Sequence, residues 1–195
     1  MLWCHRSMDS LTTDLAEQLH FHWTHHARPR LDGLSDEEYL WEPVPGTWNA
    51  RRRSDQPPPS VTARAGGGEW QLDWARPEPD PAPVTSIAWR LGHVIVGVLG
   101  VRAHSHFGGP EADILTWDYA GTAAGALDQL DEAYAAWSAG VRGLDDEGLR
   151  RPVGPAEGPW AQAPMLTLVL HINREAIHHL AEVALLRDLW GHGAR

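Results

Sequence analysis

Glu175 and His179 stand four residues apart in LTLVLHINREAIHHLAEVALLRDLW (166–190), a segment with no internal Gly or Pro. Stepping about 100° per residue, Leu168, Ile172, Ala176, Val183, Leu186 and Trp190 share one apolar stripe, and Glu175 and His179 lie inside it. Leaving a polar group unpaired in a core costs about 1–3 kcal/mol, and a buried charge costs more. A Glu–His hydrogen bond across one turn, or a partly wet groove, would meet that need structurally. The chemical alternative is a metal: side chains at i and i+4 stand one above the other and can reach one cation from one side. Two ligands from one helix are too few, so the metal reading demands a third from elsewhere. His171 and His178 fall at the edge of the stripe, and Asn173 and Arg174 are expected to point away.

The other histidines are weighed the same way. His93 sits among apolar residues in IAWRLGHVIVGVLGVRAHSHFGG (87–109), with Trp89 close and Gly97 and Gly100 on its own face. Glycine lowers helix stability by up to about 1 kcal/mol per site, so two inside a helix imply close packing or room for a ligand. Alone, such a histidine is ordinarily a satisfied core residue; opposite Glu175 and His179 it gains a second use. His104 lies about 16 Å further along the helix, too far to share an ion with His93. His22 and His26 form another i, i+4 pair with His25 beside them, for which solvated or packing roles are the default.

Four long helices must position these groups. Helix one spans about 9–34, with Asp9 or Ser10 as cap and a kink or stop at Pro29. Ser35 caps a short turn at 35–39. Helix two runs over 85–108 from Thr85 or Ser86 to a glycine stop, helix three over 122–144, and helix four over 165–190. Asp145 to Leu149 can add one turn. Between helices one and two, Trp48 to Arg52 and Glu69 to Trp74 read as two strands of a flap, Trp70, Leu72 and Trp74 alternating with polar residues in the second. SDQPPPSVTARAGGG between them reads as a mobile tip, and RPEPDPAPV (76–84) as an extended connector. The Arg51–Arg53 run is simplest as a solvated strand end.

Composition narrows the function. At 195 residues the chain fits one domain able to bury a core unaided. A net charge of −10 argues against nucleic acid, whose binders neutralise phosphates with basic residues. The single cysteine, Cys4, excludes internal disulfides and cysteine-rich metal sites. The first residues lack a signal peptide's pattern and no long apolar run occurs, so a cytoplasmic protein without a membrane span is expected.

WRLGHV (89–94) and NREAIHHLAEVALLRDLW (173–190) together resemble the DinB-like family, which includes bacillithiol-transferase and mycothiol-dependent maleylpyruvate isomerase branches. The resemblance covers roughly Leu11 to Trp190, and RPRLDGLSDEEYLWEPVPGTWNARRR is similar to one bacterial subgroup. It implies an all-α four-helix bundle of up-down-down-up type, here with a small β-hairpin insertion. It also implies a metal triad of His93, Glu175 and His179, although many members carry histidine where this chain has Glu175. Two histidines and a carboxylate suit zinc, nickel, manganese or iron. The activity implied is transfer of a low-molecular-weight thiol, a cosubstrate, to a small electrophile, with His178 as a proton-transfer or supporting group unless it is simply solvated. Hydrolysis of a small molecule and non-catalytic binding of a ligand or protein stay open, as does a homodimer.

Overall fold

The computed structural model describes residues 11–193, so Cys4, Asp9 and Ser10 lie outside the described residues. The chain is mostly helical with one small sheet. Helix α1 (Leu11–His22) runs directly into a π-helical turn (Trp23–Ala27) and a 3-10 turn (Arg28–Leu31). Pro29 therefore changes the type of helix rather than ending it. It sits in the first turn of the 3-10 segment, where a missing N–H costs nothing. Short α2 (Asp36–Tyr39) begins on Ser35, whose hydroxyl accepts from the Glu38 N–H.

The second long run is α3 (Ile87–Gly92), a π-helical stretch (His93–Gly100) and α4 (Val101–Phe107). Ser86 caps it by accepting from the Trp89 N–H, and Gly108 stops it at φ 68°, a conformation glycine adopts without steric cost. Helix α5 (Ala123–Arg142) starts on Thr122, and α6 (Asp146–Arg150) on Asp145, each side chain accepting a backbone N–H. A 3-10 segment (Pro155–Trp160) leads to α7 (Met165–Gly191), 27 residues long. Both α5 and α7 pack against α1 and against the π-helical stretch. Trp137, Leu91, Ile95, Leu99, Leu130 and Ile172 are fully buried at these contacts.

Asn173 corrects one expectation. Its side chain is 1% exposed and points inward, its Nδ2 donating to the Leu15 carbonyl at 2.8 Å. The Trp137 indole N–H donates to its Oδ1 at 3.4 Å. Because α7 is flanked by α1 as well as by the second run, its buried arc is wider than a single stripe, and Asn173 links three helices.

The flap is three-stranded, in the order β1-β3-β2, with both pairings antiparallel. β1 (Ala50–Arg52) and β3 (Trp70–Trp74) fall inside the two stretches expected as strands. β2 (Ala63–Ala65) arises inside the stretch expected to be a mobile tip: Ala65 is buried opposite Leu72, and Arg64 donates to the Arg52 and Arg53 carbonyls. The arginine run is not uniformly solvated either. Arg51 is held 2.8 Å from Asp73 and 2.6 Å from Glu42, and fully buried Asp73 also accepts from the Asn49 N–H. The Trp89 indole N–H donates to the Asp73 carbonyl at 2.7 Å, which fastens the sheet to the helix one turn before His93.

Candidate metal centre

His93 opens the π-helical stretch, its ring stacked on Trp89 with centroids 5.4 Å apart and planes 15° from parallel. Gly97 makes room on the other side: a Cβ there would lie 3.1 Å from His93 Nδ1. Gly100 serves packing instead, since its Cβ would meet the Ile95 carbonyl at 2.7 Å. Burial, then the nearby charges of His179 and Arg90, push the His93 pKa down to about 4. At neutral pH it is a neutral imidazole, the form that ligates metal.

Helix α7 brings His179 to meet it, the two rings nearly perpendicular at 85° with centroids 4.8 Å apart. His179 Nδ1 lies 2.7 Å from Glu182 Oε2, so Nδ1–H donates to that carboxylate and Nε2 keeps its lone pair. Nε2 in turn is 3.6 Å from Glu175 Oε2, too long for a hydrogen bond. It is close to the roughly 3.4 Å that separates two donors on a tetrahedral ion with bonds of about 2.1 Å. The Glu–His hydrogen bond offered as the structural alternative is thus not formed. Desolvation works to raise the Glu175 pKa, but the Arg174 hydrogen bond and the charges of His171 and His179 hold it below the ordinary value, leaving a carboxylate anion.

Two residues that sequence reasoning missed complete the neighbourhood. Glu182 lies three residues after His179 and four after His178, a spacing that was there to be read. Arg90 places Nε 3.2 Å from Glu182 and Nη1 3.3 Å from His179 Nδ1, and its guanidinium lies 5.4 Å from the Trp89 ring. Desolvation lowers the Arg90 pKa, opposed by Glu182. Among the described residues, His178, His179 and Glu182 form a cluster whose donor atoms all lie within 4.8 Å of one another. This cluster shares His179 with the expected triad. A cation placed there would face the Arg90 guanidinium across the same carboxylate, and His178 is exposed, its Nε2 3.5 Å from Glu182 Oε1. The donor chemistry favours Glu182 as the group that orients His179, with Nε2 turned toward Glu175 and the His93 ring 4.8 Å from the His179 ring.

The remaining histidines stand apart. The His22 and His26 rings are 5.9 Å apart beside a groove along Leu180 and Ala184, and no third donor joins them within the described residues. His104 is exposed, 3.1 Å from the Gly109 carbonyl. His106 and Arg102 both hold Glu157, tying α4 to the 3-10 segment.

No helix among the described residues is long and apolar enough to cross a membrane. Comparison with curated proteins and with solved structures finds no match. A family model described as the DinB superfamily matches residues 61–183, a span that includes β2, β3 and every residue of the His93–His179 neighbourhood. With more than half of its length matched, the chain belongs to the DinB superfamily.

Proposed function

We propose that the chain holds a divalent metal ion on His93, Glu175 and His179 and transfers a low-molecular-weight thiol to a small electrophile. The observation that carries the metal reading is the state of His179: Nδ1 is tied to Glu182 while Nε2 is turned toward Glu175 with His93 alongside. The four long helical runs are read as a four-helix bundle of up-down-down-up type with the sheet inserted between the first two. The thiol comes from the resemblance to the bacillithiol and mycothiol branches, and the setting we assign is cytoplasmic, with a small-molecule substrate.

A divalent ion held by His93, Glu175 and His179 would have coordination positions left for a thiol or water, whose pKa it would lower toward neutrality. The chain's own contribution is arrangement. His93 enters uncharged, so no proton has to leave it. Glu182 fixes the tautomer and tilt of His179, and Arg90 balances the charge of Glu182. His178, exposed beside Glu182, is placed to pass a proton between this neighbourhood and solvent.

Metal analysis of the purified protein and of a His93→Ala/His179→Ala variant tests the reading. Near-equimolar metal in the first and almost none in the second is expected; equal, negligible content in both sinks it. Consumption of a thiol over a panel of electrophiles then separates transfer from hydrolysis, which would proceed without thiol.

A further inference from the structure

Where the sheet meets the second helical run, three indoles converge. The Trp48, Trp74 and Trp89 rings are 6.0–6.1 Å apart pairwise, with Trp74 and Trp89 within 17° of parallel. They line a pocket of about 180 Å³, bounded also by Pro83, Glu78 and Arg90. Its walls are fixed at the backbone: the Trp48 N–H donates to the Val84 carbonyl and the Ser86 N–H to the Trp48 carbonyl, both at 2.9 Å. The indole N–H of Trp89 is committed to Asp73, so its wall offers an apolar ring. The volume suits one ring with a small substituent, since an apolar cavity of about 150 Å³ holds benzene.

Arg90 sets the sign of the ligand. Glu182 engages its Nε flank, but the neighbour of Nη1 is His179 Nδ1, which cannot accept a hydrogen while giving its own to Glu182. The guanidinium therefore has terminal N–H groups to spare on a largely buried side chain at the pocket wall. Glu78, the opposing charge, is exposed at the rim, where water screens it. A planar apolar body and one anionic group able to pair with a guanidinium describe a carboxylate on an aromatic ring.

We infer that this pocket binds a small aryl monocarboxylate, its ring on the three tryptophans and its carboxylate on Arg90. Trp89 lines the pocket and also stacks on His93, so such a ligand lies one indole away from the proposed metal ligands. That use of the pocket, holding the body of the substrate, rests on the proposed function; the binding itself does not.

The test titrates para-fluorobenzoate into the full chain, stripped of metal by a chelator, and follows it by fluorine NMR. Para-fluorobenzamide and para-fluorobenzyltrimethylammonium serve as neutral and cationic counterparts. Saturable binding of the carboxylate is expected, with the amide about tenfold weaker or more. Arg90→Gln should bring the carboxylate down to the level of the amide, and Trp74→Leu should weaken both. If the amide or the ammonium compound binds as tightly as the carboxylate, or none of the three saturates, the inference is overturned. That comparison uses only the unmodified chain, so it holds even if Arg90→Gln fails to fold. The two readings fail separately. A chain without metal that binds the carboxylate through Arg90 keeps the pocket and loses the metal; one that loads metal and ignores the carboxylate does the reverse.

Discussion

His179 and Glu182, three residues apart on α7, share a 2.7 Å hydrogen bond between Nδ1 and Oε2, and that bond settles which nitrogen of the imidazole is available. On the proposed reading Glu182 holds His179 rather than an ion. Glu182→Gln should therefore leave a metal site that binds about 10–100-fold more weakly, measured by competition with a chelator. His178→Ala should leave the affinity unchanged while slowing turnover. Loss of metal on His178→Ala would relocate the ion to the His178–His179–Glu182 cluster.

The depressed pKa of His93 makes the metal-free protein acid-sensitive. Folded, the group titrates near 4; unfolded, near its ordinary 6.5. Between these values the unfolded chain binds more protons, so stability is complete above about pH 6.5 and falls as the pH drops toward 4. The contribution is up to about 3 kcal/mol. Urea midpoints in the presence of a chelator at about pH 7.5 and about pH 4.5 should differ, and His93→Gln should narrow the difference. An unchanged difference would mean that His93 is not held neutral by burial.

Gly97 is the space into which the His93 ring fits. Gly97→Ala puts a methyl 3.1 Å from Nδ1, closer than the ring tolerates without turning. Metal affinity should fall about tenfold, since a ligand shifted by a fraction of an ångström loses its geometry. Thermal stability should move little, because alanine favours the helix. A melting point that collapses together with affinity would instead mark Gly97 as a packing residue.

Arg51 and Asp73 carry the sheet's one fully buried carboxylate. Asp73→Ala takes one of two carboxylates from the Arg51 guanidinium, Glu42 staying at 2.6 Å, and leaves the buried Asn49 N–H unpaired, which together cost about 3 kcal/mol. For a chain of this size that is a fall of roughly 10 °C in Tm. Because the Asp73 carbonyl also anchors Trp89, the fluorescence of the tryptophan cluster should change as well.

Helical spacing made the long elements legible, down to the cap at Ser35, the choice of Thr85 or Ser86 for the second run and its glycine stop, while the Thr122 cap went unread. It also placed His179 on the buried face of α7, with Glu175 half-buried one turn before it. What it hid were relationships across elements. Arg90 looks like any helical arginine until α7 brings Glu182 and His179 to it. Asn173 looked outward because one stripe was counted, whereas α7 is enclosed on two sides. β2 had no apolar alternation to reveal it: its residues are small or charged, and its pairing comes from β3, whose Leu72 and Trp74 it lies against.

The π-helical stretch from His93 to Gly100 has a consequence for how this scaffold can change. Such a stretch holds an extra residue relative to an α-helix of equal rise, so removing one residue lets the rod relax into regular winding. The rod beyond the cut then keeps its facing, whereas the same loss in the regular winding of α7 would turn everything after it by about 100°. A deletion after His93 would leave the imidazole in place and keep Arg102, with its grip on Glu157, on the same side of the helix. A single codon can be lost there without reorienting the rest of the rod, a change that α7 has no slack to absorb.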